Sequence, residues 1–113
     1  MHEMALTQSI LDIACAEADK HNAQRVLAIR IRIGEFSGVV PAYLQEYFNI
    51  VSCGTLAEGA RLEIETVPVV IHCKQCDQTS RVSRHNICCP LCGSSNISLQ
   101  SGREYYVESL EVE

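Results

Sequence analysis

Two pairs of cysteines constrain this chain more than any other feature. Cys73 and Cys76 form the first C-x2-C pair, Cys89 and Cys92 form the second, and twelve residues separate the pairs. Two residues between paired cysteines allow both sulfurs to turn toward one point, and four thiolates suit tetrahedral Zn²⁺. The spacing therefore predicts a structural zinc site made of these four cysteines, with a short β-hairpin spanning the twelve residues between the pairs.

Two other uses of the cysteines fit the sequence less well. Disulfides require an oxidising compartment, and the chain has an odd count of seven cysteines. A thioredoxin-like redox site needs only one C-x2-C pair, at a helix start in a βαβ unit. Two pairs in tandem favour zinc.

Three further side chains near these pairs compete for a role at the metal. Cys88 precedes Cys89 and could replace it, but this would leave a C-x3-C spacing to Cys92. His72 and His85 could replace a thiolate, and such an exchange would couple the zinc geometry to pH or to the loading of a second metal. We expect the two histidines to lie outside the ligand set, because four thiolates already complete it.

Composition sets limits on the class of protein. A length of 113 residues allows one modest domain and a small module. The start of the chain has no basic region typical of a signal peptide, and no apolar run approaches the roughly 20 residues that span a bilayer. We expect a cytoplasmic protein that does not bind membranes. The net charge of −5 argues against nonspecific nucleic-acid binding.

The hydrophobic pattern predicts five elements outside the zinc segment. A helix is expected over 4–21 and a strand over 25–33, where apolar and polar residues alternate. A second helix should begin near Pro41, a second strand near Leu62, and a third strand should cover 104–112. We also expect the exposed arginines of the first strand, Arg30 and Arg32, to pair with Glu63 and Glu65.

This order predicts an α+β fold. Its main part is a small three-stranded sheet with two helices on one face, and a zinc-ribbon module is inserted between two strands. The main domain would comprise residues 1–70 and 103–113, and the zinc domain residues 71–102. Val69–His72 and Ser98–Gly102 are expected to be linkers.

The first three residues, Met1, His2 and Glu3, are a second candidate metal site. Because the side chain after Met1 is large, we expect Met1 to be retained, which leaves a free amine beside an imidazole. That amine, the amides of His2 and Glu3 and the His2 ring nitrogen can surround one ion, and a planar nitrogen set suits Ni²⁺ or Cu²⁺. A disordered, solvated end is the alternative.

Together these motifs resemble the HypA/HybF family of hydrogenase nickel-incorporation proteins. The resemblance rests on Met1–Leu6, Ile33–Gly38, Glu58–Leu62, the two cysteine pairs and the ending Ser109–Glu113. It covers essentially the whole chain in order. The zinc motif alone occurs in many families, whereas its combination with the opening Met-His-Glu is much more specific.

The resemblance implies a nickel metallochaperone for [NiFe]-hydrogenase maturation rather than an enzyme. It implies nickel at His2 with main-chain nitrogens of Met1 and Glu3, and structural zinc at the four cysteines. It further implies work with the GTPase HypB, delivery to the hydrogenase large-subunit precursor, and a monomer or a domain-swapped dimer. Some members of the family also serve urease.

Two other function classes remain as alternatives. A zinc-stapled adaptor for protein interactions would differ only in lacking its own nickel site. A nucleic-acid-binding zinc ribbon would need a basic face with exposed aromatic residues, and no aromatic residue lies between Cys73 and Cys92.

Overall fold

The structure, a computed structural model, describes residues 2–113 as two α-helices, a short 3-10 helix and six strands. The helices are α1 (His2–Lys20) and α2 (Pro41–Val51), and the 3-10 turn is Glu35–Ser37. The strands are β1 (Val26–Gly34), β2 (Arg61–Val67), β3 (Val69–Cys73), β4 (Thr79–Val82), β5 (Ile97–Ser101) and β6 (Tyr105–Val112). They form two three-stranded sheets, in the orders β2-β1-β6 and β4-β3-β5. No helix in the described part of the chain is long and apolar enough to cross a membrane.

The chain divides into two compact units. The first contains the chain up to Ile31 with Val39–Glu65 and Tyr106–Glu113, and the second contains Arg32–Gly38 and Thr66–Tyr105. The predicted domain bounds at residues 70 and 103 remain a prediction, because compactness does not test whether either part folds alone.

The two helices of the first unit pack against each other through their apolar stripes. In α1 the fully buried residues recur at helical spacing, as the periodic pattern predicts; they include Ile10, Ala14 and Ala18. In α2, Pro41 stands in the first turn, where its missing N–H costs no hydrogen bond. Phe48 of α2 is completely buried, so this aromatic side chain belongs to the core of the unit.

A single glutamine ties α2 to the start of β2. The Gln45 side-chain nitrogen donates to the carbonyl of Ala60 at 3.3 Å, and its oxygen accepts the N–H of Leu62 at 2.8 Å.

The predicted ion pair on the open strand surface is also present, since Arg30 contacts Glu63 at 3.2 Å. Such exposed pairs add little to stability.

The predicted fold class is confirmed: two helices accompany a three-stranded sheet, and β6 returns to β1 at the end of the chain. The predicted linkers are wrong, because Val69–His72 lies in β3 and Ser98–Gly102 overlaps β5. The predicted hairpin between the two cysteine pairs is also misplaced. The observed hairpin is formed by β3 and β4, which pair from Val69 with Val82 to His72 with Thr79 and enclose the first cysteine pair in their turn. Val69 and Ile71 are fully buried, which is the reason that this apolar stretch forms a central strand.

The segment that begins the second unit, residues 34–36, lies close against the backbone of later residues of the same unit. The N–H of Gly34 donates to the carbonyl of Glu104 at 2.7 Å, and the N–H of Phe36 donates to that of Gly102 at 2.7 Å. The Glu35 carboxylate accepts the N–H of Val69 at 3.2 Å. A Cβ on Gly34 would lie 1.9 Å from the carbonyl oxygen of Gly102, so only glycine permits this approach.

We therefore expect Gly34→Ala to lower the free energy of unfolding by about 3 kcal/mol, the upper end for overpacking, because the clash is with backbone. Urea unfolding measures this change. Gly59→Ala is the matched control, since its added methyl meets no atom within 4 Å, and only the left-handed backbone costs it about 1 kcal/mol. Equal losses in the two variants would contradict the account of Gly34.

Candidate metal centres

The first cysteine pair forms a tight knuckle after β3. The N–H of Cys73 donates to the carbonyl of Gln78 at 2.8 Å, and the N–H of Asp77 donates to the carbonyl of Cys73 at 2.9 Å. Asp77 adopts a left-handed backbone with φ of 61°. The N–H of Cys76 lies 3.4 Å from the Cys73 sulfur, so the turn directs both a donor and the second thiol toward that atom.

The second cysteine pair repeats this geometry without strand support. The N–H of Cys89 donates to the carbonyl of Ser94 at 2.9 Å, and the N–H of Gly93 donates to that of Cys89 at 2.8 Å. Gly93 has φ of 78°, matching Asp77 in the first knuckle. Aspartate is one of the few residues besides glycine that tolerate this conformation, so the two knuckles can share it.

The two knuckles bring the four predicted sulfurs together. Their ligand atoms all lie within 4.8 Å of one another, and the Cys73–Cys92 and Cys76–Cys89 sulfur distances are both 3.6 Å. A tetrahedral ion with metal–sulfur bonds of about 2.3 Å requires sulfur–sulfur edges of about 3.8 Å. The cluster is therefore compatible with structural zinc.

The four thiols differ in pKa, because backbone N–H donors lower the pKa of some and burial raises the pKa of others. The N–H of Cys76 is the main cause of the lowered pKa of Cys73. Burial raises the pKa of Cys89, but two backbone N–H groups and the neighbouring thiols outweigh it and bring the pKa to about 7. Burial raises the pKa of Cys76 to about 12. A backbone N–H lowers the pKa of Cys92, but hydrogen bonds with neighbouring thiols and burial together raise it above its usual value. The first cysteine of each knuckle is thus the readier thiolate.

The cysteine cluster is part of the core of the second unit. Cys73 and Cys89 are buried with Val69 and Ile71. The partly buried side chains packed against this group are Cys76, Val82, Ile87, Ile97 and Leu99. This core is small, so a metal that fixes four of its side chains would supply much of its stability.

The other candidate ligands lie outside the sulfur cluster. Cys88 directs its thiol to the side-chain oxygen of Asn86 at 3.4 Å, and Cys89 takes the cluster position. His72 contacts the Asp77 carboxylate at 3.0 Å. His85 is exposed on the surface. Every cysteine in the described chain is a free thiol.

The predicted nickel site lies mostly outside the described residues, which exclude Met1 and the side chain of His2. The described helix α1 begins at His2, and Glu3 stands in its first turn. The N–H groups of a first turn have no acceptor within the helix, so the amides of His2 and Glu3 are not needed for helical hydrogen bonds.

The fold and the cysteine cluster define a small α+β protein with a zinc-ribbon type of module. A family model described as hydrogenase/urease nickel incorporation, metallochaperone, hypA matches residues 1–112. The chain belongs to this HypA family, and the expectation that it is not an enzyme is thereby confirmed.

Relatives and solved structures agree with this assignment. A hydrogenase maturation factor HypA of Picosynechococcus sp. is 45% identical over 112 residues, which cover 99% of each chain. One of Geobacter sulfurreducens is 41% identical over 113 residues, covering 100% of each. The solution structure of a HypA protein aligns with a TM-score of 0.72 at 26% identity, covering 100% of this chain and 97% of that one. The nickel metallochaperone HypA of Helicobacter pylori has the same fold, with a TM-score of 0.68 at 24% identity and 97% and 96% of the chains covered.

The matching turns of the two knuckles generate a prediction at Gly93. We expect Gly93→Val to lower the free energy of unfolding of the zinc-loaded protein by about 1–2 kcal/mol, because a β-branched residue is forced into a left-handed backbone. Zinc should also pass faster to a competing chelator. Gly93→Asp is the matched control and should lose less, since Asp77 already occupies the equivalent position. Equal losses for valine and aspartate would refute the shared turn geometry.

Proposed function

We propose that this protein carries nickel to the hydrogenase large-subunit precursor during maturation and contains a separate structural zinc site. The main support is the family match over residues 1–112, whose description names nickel incorporation and a metallochaperone. The helix that begins at His2 adds physical support, because it would hold the opening residues in one place.

In this proposal nickel is held by the amine of Met1, the His2 imidazole and main-chain nitrogens at His2 and Glu3. These nitrogen donors in a plane suit Ni²⁺. The Glu3 carboxylate stands near a helix N-terminus, where negative charge is favourable, and it would attract a cation without being a ligand. Protonation of the amine or imidazole lowers the affinity, which gives a carrier a way to release its cargo.

Zinc would be held by Cys73, Cys76, Cys89 and Cys92 and would have a structural role. Four thiolates fill a tetrahedral shell and leave no open position for chemistry. The second knuckle lies in a long segment without strands, residues 83–96, and the ion would cross-link it to the knuckle that follows β3. The proposal places the zinc module at residues 71–102, separate from the nickel-binding domain.

The proposed partners follow from the resemblance to the family. They are the GTPase HypB, which would supply timing for release, and the large-subunit precursor that receives nickel. We propose a cytoplasmic location, where the seven thiols stay reduced, and a monomer or a domain-swapped dimer.

A nickel titration by calorimetry tests the carrier site. On zinc-loaded protein with its native start and no N-terminal tag, we expect one nickel per chain. His2→Ala should weaken this binding by more than about tenfold, because it removes the imidazole donor, and the zinc content should not change. His85→Ala is the matched control, since His85 is exposed and lies outside the sulfur cluster.

Two results would contradict the carrier assignment. If His2→Ala binds nickel as well as the parent, then His72, His85 and Cys88 become the candidate ligands. If the parent binds no nickel at all, the zinc-stapled adaptor is the better description of this protein.

Zinc removal tests the structural role of the second metal. After chelation, or in Cys76→Ser, we expect the amides of β3 and β5 to exchange rapidly with solvent, because the small core loses its cross-link. The amides of α1 and α2 should keep their protection. Hydrogen exchange followed by NMR measures both sets, and Cys53→Ser, an exposed cysteine outside the cluster, is the control. Unchanged protection of β3 would show that zinc does not stabilise this unit.

A further inference from the structure

The four cysteines of the sulfur cluster differ in their access to solvent. Cys73 and Cys89 are buried, Cys76 is half-buried, and Cys92 is exposed. Leu91, the residue before Cys92, has 66% of its surface exposed, so the tip of the second knuckle projects into solvent. A dissolved oxidant therefore reaches Cys92 first, because the oxidation of a thiolate follows its exposure.

A second sulfur lies close to the exposed one. The Cys73 and Cys92 sulfurs are 3.6 Å apart, and the Cys76 and Cys89 sulfurs are also 3.6 Å apart. Each of these pairs joins the first knuckle to the second. A disulfide needs a sulfur–sulfur distance of about 2.05 Å, so each pair would close by an approach of about 1.5 Å that two side chains share.

Pairing within one knuckle is the alternative. A disulfide inside a C-x2-C pair is typical of a redox site at a helix start, but in the described chain neither knuckle begins a helix. The first knuckle is the turn between β3 and β4, and the second precedes β5. These positions and the two short distances favour disulfides between the knuckles.

We propose that the cysteine cluster of the second unit is a peroxide-sensitive switch. Oxidation enters at Cys92, bonds Cys92 to Cys73, and releases the metal while the unit stays cross-linked. This inference rests on the zinc site of the proposed function. It does not depend on nickel at Met1–Glu3.

A hydroperoxide supplies the oxidising power for the switch. The Cys92 thiolate attacks a peroxide oxygen, the O–O bond breaks, and Cys92 becomes a sulfenic acid while the other oxygen takes a proton and leaves as water or an alcohol. The Cys73 thiolate then attacks the sulfenic sulfur, the S–O bond breaks, and this oxygen takes a proton and leaves as water. Two electrons thus pass from the two sulfurs to the peroxide. A second peroxide would join Cys76 to Cys89 by the same steps.

The new disulfide would replace the metal as the link between the knuckles. Cys73 ends β3, and Cys92 lies in the strand-free segment 83–96, so their bond would join the same two pieces that zinc would join. A sulfur in a disulfide is no longer a thiolate ligand, so two of the four metal ligands are lost at once. Oxidation therefore exchanges one cross-link for another, and the second unit keeps its fold.

Trapping of the sulfenic acid tests the point of entry. Zinc-loaded parent protein is treated with hydrogen peroxide in the presence of dimedone, which reacts with sulfenic acids, and mass spectrometry locates the labelled cysteines at early times. We expect the label on Cys92 to exceed that on each other cysteine of the cluster by at least about fivefold, because Cys92 is the exposed member. Equal labelling of a buried cysteine would overturn this assignment.

Trypsin digestion separates the possible disulfides. Trypsin cleaves after lysine and arginine, so it leaves Cys73 in fragment 62–74, Cys76 in fragment 75–81, and the second knuckle in fragment 85–103. We expect the first disulfide to join the first of these fragments to the third. A disulfide within the first knuckle would join the first fragment to the second, and one within the second knuckle would join no fragments. Mass spectrometry of the linked peptide identifies which cysteine of the second knuckle is used.

Metal release and retention of the fold are measured on the same samples. A chromophoric chelator should report zinc release at least about tenfold faster with hydrogen peroxide than without it, and dithiothreitol with added zinc should restore the parent. The amides of β3 should stay protected from exchange in oxidised, metal-free protein, although they exchange rapidly in reduced, metal-free protein. Cys53→Ser and Cys88→Ser are the matched controls, since both thiols lie outside the cluster. Both should release zinc within about twofold of the parent rate.

Three results would overturn the proposal. They are a first disulfide within one knuckle, loss of β3 protection on oxidation, and zinc release that either control variant abolishes. If the parent binds no zinc, the zinc site of the proposed function fails, and the fragment map of metal-free protein then decides the pairing between the knuckles by itself. Nickel titration bears on none of these results, so the carrier function can stand or fail separately.

Discussion

The convergence of four sulfur atoms on one point is the constraint on which the second unit depends most, because the cysteines form much of its core. Without it, this unit has a small apolar core around Val69 and Ile71, and half of its fully buried members are cysteines, Cys73 and Cys89. Each knuckle uses an equivalent pair of backbone hydrogen bonds and has a left-handed residue at the equivalent position, Asp77 in the first and Gly93 in the second. A metal at the centre would therefore bind a site that the turns already shape, so little ordering entropy would oppose binding.

The first unit is stabilised by burial of apolar side chains rather than by a cluster of cysteines. Its helices bury ordinary apolar stripes, and its core needs no cross-link; Phe48, Ile10 and Ile29 are among its largest fully buried side chains. Such a unit can present a chain terminus and an edge strand without losing its stability. The proposed nickel site would use this property, because the N–H groups in the first turn of α1 have no acceptor within the helix.

The sequence analysis failed where local pattern conflicted with context. Val69–His72 was expected to be a linker, yet its β-branched residues form the central strand of the second sheet. Ser98–Gly102 was also expected to be a linker, but all except its last residue belong to β5. Pairing with β3 supplies the hydrogen bonds that make this segment a strand. Contacts between residues far apart in the chain override local propensity in such cases.

The sequence alone determined the two helices, the three strands of the first sheet and the four cysteines as one group, because hydrophobic period and C-x2-C spacing are local properties of the chain. Tertiary structure alone decided that β3 lies between β4 and β5 at the centre of the second sheet. It also decided that β6 borders a groove with α1. These outcomes depend on how distant segments pack and on which edge of a sheet stays open, and neither property is encoded in the spacing of residues along one segment.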